Sequence, residues 1–117
     1  GGRTWSALRK TRVWGIPPHL LTLSDGRVLL SRGYRRDRRG VRYSLSYDGG
    51  RTWDPGIEGV LEGGADNVDC GYPSTVELDD GSLWTVYYTS DRPGGGELVA
   101  TVRAVHYRIP PRVQPGS

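Results

Sequence analysis

Arginine is the residue in this sequence best suited to chemistry. All but one of its 16 basic residues are Arg, the exception being Lys10. A guanidinium presents a planar fork of donors that matches carboxylate and phosphate, so Arg-rich surfaces select small planar anions. The arginines are dispersed except for one run, Tyr34-Arg35-Arg36-Asp37-Arg38-Arg39-Gly40-Val41-Arg42. Further along stand other side chains of the kinds an anionic ligand needs: His19, Asp66, Asp69, Tyr72 and Arg92. Each also has an ordinary structural role open to it: a solvated loop for the arginines, a turn cap for Asp69, a wall position for Tyr72 and His19. Cys70 and His106 have no metal-ligand spacing, so neither a metal nor another cofactor is expected.

The elements that must position these residues are strands. A chain of 117 residues is at most one ordinary domain, and 35% hydrophobic content with no Phe and no Met makes a thin core. Four Trp and seven Tyr supply much of the apolar bulk, and 18 Gly with 8 Pro make the chain rich in turns. No apolar run approaches the roughly 18 residues of a membrane helix, so no membrane partner is expected. No signal peptide is visible, and one cysteine leaves no internal disulfide. The net charge of +3 raises the question of nucleic acid. Dispersed arginines without interleaved aromatics do not make such a groove.

"HLLTL" and "RVLLSRGY" flank Ser24-Asp25-Gly26, and "STVEL" and "SLWTVYY" flank Asp79-Asp80-Gly81. Both read as hairpins about an Asp-Gly turn. They are also copies, offset by 81 − 26 = 55 residues, while GGRTW at 1–5 and again at 49–53 repeats at 48. A period near 50 that holds a few short strands predicts propeller blades or a related array. The fold class expected is all-β, with eight strands in two four-stranded antiparallel blades. Residues 1–14 hold an outer strand (about Arg9–Trp14) apart from its blade, and 15–64 form a full blade. Residues 65–109 form a blade lacking its outer strand, and 110–117 are a tail. Trp84, Tyr87 and Tyr88 on one strand are expected in the core, with Cys70 buried.

Ser46-Tyr47-Asp48-Gly49-Gly50-Arg51-Thr52-Trp53 matches each fixed position of S-x-D-x-G-x-T-W, the Asp box of bacterial neuraminidase repeats. With "CGYPSTVELDDGSLWTVYY", the chain resembles the later blades of sialidase-like six-bladed propellers. The resemblance implies a structural role for Ser46, Asp48, Gly50, Thr52 and Trp53, on the face opposite the active site. It places Tyr72 at the position of the nucleophilic tyrosine, while the family's aspartate acid and paired glutamate would lie in earlier blades; a hydrolase reading of this chain takes Asp69 or Asp66 as acid. It places one of Arg35, Arg36, Arg38 and Arg39 at the third arginine of the substrate-carboxylate triad. A neutral tyrosine nucleophile avoids like-charge repulsion with an anionic sugar. In such a propeller, residues 17–19, 34–39, 66–72 and 90–92 open on one mouth, bringing His19 and Arg92 to the same face. The resemblance also makes secretion the compartment to expect.

The extra strand at one end and the missing strand at the other suggest that copies of the chain complete one another head to tail. Two blades per chain in a ring of six predict a homotrimer; a four-bladed dimer or an open aggregate are the competitors. Threefold symmetry repeats one residue set around the channel, whereas sialidase catalysis uses different residues from different blades. The function expected is therefore binding of carboxylated sugars or other small anions without efficient catalysis. The alternative is an exo-sialidase with Tyr72 as nucleophile.

Overall fold

The computed structural model describes residues 1–54 and 57–112. It contains two antiparallel sheets, each a simple meander. The first runs β1 (Pro18–Thr22), β2 (Val28–Tyr34), β3 (Gly40–Ser46), β4 (Glu58–Glu62), in that spatial order. The second runs β5 (Gly71–Glu77), β6 (Leu83–Asp91), β7 (Val99–Tyr107), with a single 3-10 turn at Pro93–Gly95 before β7. The described residues are thus all-β, in sheets of four and three strands. They form no closed ring by themselves.

Both Asp-Gly hairpins close in the same way. Gly26 and Gly81 take φ of 89° and 84°, which only glycine adopts freely. Leu23 N–H donates to Arg27 O at 2.8 Å, and Leu78 N–H to Ser82 O at 2.8 Å. Asp25 accepts from the Arg27 amide at 3.0 Å, and Asp80 from the Ser82 amide at 2.9 Å. Pairing registers also repeat: His19 faces Ser31 and Ser74 faces Val86, each 55 residues from its counterpart.

The sheets stack with β5 against β1 and β2. Leu23, Leu29, Leu45 and Leu83 fill the space between them, with Leu21, Tyr43, Tyr107 and Ile109 packed around. Each buried leucine contributes about 1.5–3 kcal/mol. The middle of the stack is polar: Ser31 Oγ, Thr75 Oγ1, Thr85 Oγ1 and the Tyr107 hydroxyl form a hydrogen-bonded chain, at 3.2, 2.8 and 2.8 Å. At the end of β2 the two backbones nearly touch. A Cβ on Gly71 would lie 2.8 Å from Gly33 Cα, and one on Gly33 would lie 2.3 Å from Ile16 O.

Seven strands, not eight, are present among the described residues. The expected strand about Arg9–Trp14 does not form; 1–14 lie outside both sheets and are exposed except at Val13. A strand needs a neighbour's ladder, and this basic, weakly alternating segment meets no strand edge. It is anchored at one point instead. Trp14 O accepts from Arg32 Nε at 2.8 Å, and the Trp14 ring stands edge-on to Tyr34 with centroids 5.2 Å apart. The remaining expected strands are present, and the tail is described only to Arg112; its last five residues lie outside the described residues.

Candidate site at the β2–β3 end

Three connections meet at one end of the stack: the β2–β3 loop, the β4–β5 loop and the segment after β6. Ala65 N–H donates to Arg39 O at 3.0 Å, and Asp66 N–H donates to Ser90 O at 2.9 Å. Arg39 Nη2 donates to Asp66 O at 3.1 Å, and Asp66 Oδ2 accepts the Arg92 amide at 2.9 Å. Cys70 lies buried beneath, its Sγ against Tyr34 O and Gly40 O at 3.9 and 3.8 Å. Burial pushes its thiol up, so it is packing rather than a nucleophile. The loops carrying Arg35–Arg39, Asp66–Tyr72 and Arg92 therefore come together.

Tyr72 stands out from this surface. Gly71 at φ 115° and Tyr72 at φ 51° interrupt the β5–β6 register. A bulge of this kind re-aims a side chain, and the Tyr72 ring is 62% exposed. It lies against Tyr88, centroids 5.7 Å apart. The Tyr88 hydroxyl donates a very short hydrogen bond to Asp69 Oδ1. That bond pushes the Tyr88 phenol up to about 12, with the nearby Arg35 charge opposing. Asp69 is thus engaged with Tyr88, not with Tyr72.

Tyr88 is the site residue that sequence reasoning missed. Trp84, Tyr87 and Tyr88 were expected together in the core, but neighbours on a strand point to opposite faces. Tyr87 is buried, while Trp84 is 38% exposed and stacks on His106, centroids 4.5 Å apart. Among the described residues, the signal was the parity of Tyr88 with exposed Trp84 and Val86 on β6.

The other candidates are distributed as follows. His19 Nδ1 accepts the Thr75 amide at 3.3 Å, so His19 joins the sheets. The Arg36 guanidinium lies over the Trp14 ring at 3.8 Å, away from Asp69. Arg38 is exposed at φ 61° and its amide donates to Asp37. Arg92 Nη1 reaches Gly96 O at 3.4 Å. Arg35 and Arg39 are half-buried, and the Nε of each is buried without a hydrogen-bond partner in the chain. The Thr89 and Ser90 hydroxyls, at the adjacent end of β6, are in the same condition. The Arg42 Nε on β3 shares this condition, and Thr89 and Ser90, as neighbours on β6, face opposite sides of the sheet.

The Ser46–Trp53 turn lies at the opposite end, because β3 leads away from the β2–β3 loop. Ser46 Oγ donates to Asp48 Oδ1 at 2.8 Å and accepts the Gly50 amide at 2.8 Å. Asp48 also accepts the Thr52 amide at 2.9 Å and the Thr52 hydroxyl. These bonds, the Thr52 hydroxyl first, hold the Asp48 carboxyl down at about 2. The Trp53 indole donates to Gly50 O at 3.1 Å and is buried beneath the turn. These side-chain bonds are internal to the turn, and Arg112 Nη2 reaches Tyr47 O from outside it at 3.3 Å.

Among the described residues, no group of three or more His, Cys, Asp or Glu side chains is arranged to hold a metal. No described helix is long and apolar enough to cross a membrane.

No family model matches the chain, and no curated protein matches it. It is similar to the crystal structure of a protein of unknown function from Dyadobacter fermentans DSM 18053. The TM-score is 0.73 at 32% identity, covering 93% of this chain and 29% of that one. The chain therefore spans less than a third of the protein it matches.

Proposed function

We propose that this chain is part of a sialidase-like, Asp-box β-propeller whose β2–β3 end binds carboxylated sugars or other small anions without efficient turnover. The observation that carries this reading is the meeting there of the Arg35–Arg39, Asp66–Tyr72 and Arg92 segments, tied by Arg39 to Asp66 O and by Asp66 to the Arg92 amide. The half-buried Arg35 and Arg39 bring cationic donors of the kind a carboxylate accepts from. The exposed Tyr72 ring beside them offers a face for the apolar side of a sugar.

Geometry favours binding over hydrolysis. A tyrosine nucleophile needs a base on its hydroxyl. Asp69, one of the two carboxylates in the proposed set, is occupied by Tyr88. Calorimetric titration with N-acetylneuraminic acid and its methyl ester tests the reading. The acid should bind at least about tenfold more tightly, a difference of about 1.4 kcal/mol. Arg39→Gln should erase that preference, and a fluorogenic sialoside should not turn over. Equal affinity for acid and ester refutes carboxylate recognition; turnover lost in Tyr72→Phe restores the hydrolase reading.

A further inference from the structure

On the anion-binding reading of the β2–β3 end, we propose that the bulge at Gly71–Tyr72 is built to present the Tyr72 ring to the body of the bound sugar. The Tyr88–Asp69 pair positions that ring from behind.

The backbone at Tyr72 carries the inference. Its φ is 51°, in the left-handed region that a bulky L-residue enters at a cost. Tyr72 also precedes Pro73, and a proline ring presses the residue before it toward extended conformations. Two separate preferences are therefore overridden at one position. Packing on either side overrides them. Before Tyr72, Gly71 lies so close to β2 that a Cβ on it would be 2.8 Å from Gly33 Cα, and Cys70 is fully buried. After it, Pro73 is buried. Clamped at both sides, β5 loses register with β6 between Gly71 and Ser74, and the Tyr72 side chain is turned outward. A residue that serves the core offsets such a cost by burial; Tyr72 does not. Strain of this kind collects where a side chain must be aimed.

The surroundings fit a ring offered to a hydroxylated anion. The Tyr88 ring backs Tyr72, tilted by 36° with centroids 5.7 Å apart. Tyr88 is itself fixed, because its hydroxyl donates to Asp69 Oδ1, a bond strengthened by the carboxylate charge. Asp69 is held in turn, its amide donating to Asn67 Oδ1 at 3.3 Å. The Arg35 charge is felt at the Tyr88 hydroxyl and, with that of Arg39, at the Cys70 thiol beneath. The cationic and aromatic parts of this end therefore adjoin. A sugar whose carboxylate meets those arginines lays its C–H face against Tyr72.

Calorimetric titration with N-acetylneuraminic acid and its methyl ester, alongside urea unfolding, tests this on the parent chain and three variants. Tyr72→Phe keeps the ring and should match the parent in both measurements. Tyr72→Asn removes the ring and tolerates positive φ, so its unfolding constant should be no higher than the parent's and up to about tenfold lower. The same variant should bind acid and ester alike about two- to tenfold more weakly, the range for a lost aromatic contact. Tyr88→Phe frees Asp69 but keeps a ring behind Tyr72. It should weaken acid and ester by one factor and leave the preference for the acid intact, which a role confined to the fold would not do. A Tyr72→Asn chain that is less stable than the parent overturns the proposal, as does one that binds as tightly. A Tyr88→Phe chain that binds as the parent does overturns the positioning role. If the parent prefers the acid and Tyr72→Asn binds normally, presentation of Tyr72 fails while carboxylate recognition stands. If the parent binds neither ligand, both fail.

Discussion

Replacing Thr75 by valine removes one hydroxyl from the middle of the sheet stack and keeps the side-chain shape. Thr75 Oγ1 links Ser31 Oγ at 3.2 Å to Thr85 Oγ1 at 2.8 Å, and Thr85 continues to Tyr107. Ser31 and Thr85 are fully buried and Thr75 nearly so. Two hydrogen bonds are lost, each with a net value of about 0.5–1.5 kcal/mol, and stranding a buried hydroxyl costs about 1–3 kcal/mol. Thr85 keeps Tyr107 as a partner, so the stranded group is Ser31. The added methyl returns up to about 0.8 kcal/mol. The sum is a loss of about 1–6 kcal/mol. Urea unfolding followed by tryptophan fluorescence should show a lower midpoint with an unchanged slope. Adding Ser31→Ala removes the stranded hydroxyl, so the double variant should regain about 1 kcal/mol over Thr75→Val. A neutral Thr75→Val, or a double variant less stable than the single, would refute the reasoning.

Three further outcomes follow from the same structure. Glu58 holds Arg32 at 3.0 Å and Arg42 at 2.6 Å, and Arg32 is only 2% exposed. Glu58→Gln should cost about 1–3 kcal/mol in urea unfolding, below the range for a fully buried pair because Glu58 is 27% exposed. Asp48 has its carboxyl at about 2 against an ordinary 3.8, so its contribution is complete above about pH 4 and is lost as pH falls toward 2. Asp48→Asn should therefore flatten the acid limb of the fluorescence–pH curve. Tyr88 ionises near 12 because Asp69 holds its proton, so absorbance titration should show one late phenol that Asp69→Asn brings back toward 10.

Both hairpins were legible because a turn is local: Asp-Gly between alternating apolar runs is sufficient to close one. The gathering of the Arg35–Arg39, Asp66–Tyr72 and Arg92 segments followed from strand direction, since in a meander every second connection lies at the same end. Contacts between distant segments were not legible. Arg32 is buried on β2 because Glu58 on β4 and the carbonyl of Trp14 reach it, contacts that span distant parts of the chain. Gly33 is where β5 and Ile16 press close against β2, a contact between distant segments. The sequence marked about Arg9–Trp14 as an outer strand, but a strand is a property of a pair, and that segment meets no strand edge among the described residues. Tyr88 was lost to a parity error: the aromatic content of β6 was read as one face when it is two.

The most direct test of anion recognition at the β2–β3 end is an amide chemical-shift titration of the labelled chain with N-acetylneuraminic acid. The account predicts saturable shifts clustered at 35–39, 66–72 and 88–92, with the Ser46–Trp53 turn unmoved. Shifts centred on that turn, or none at millimolar sugar, would contradict it.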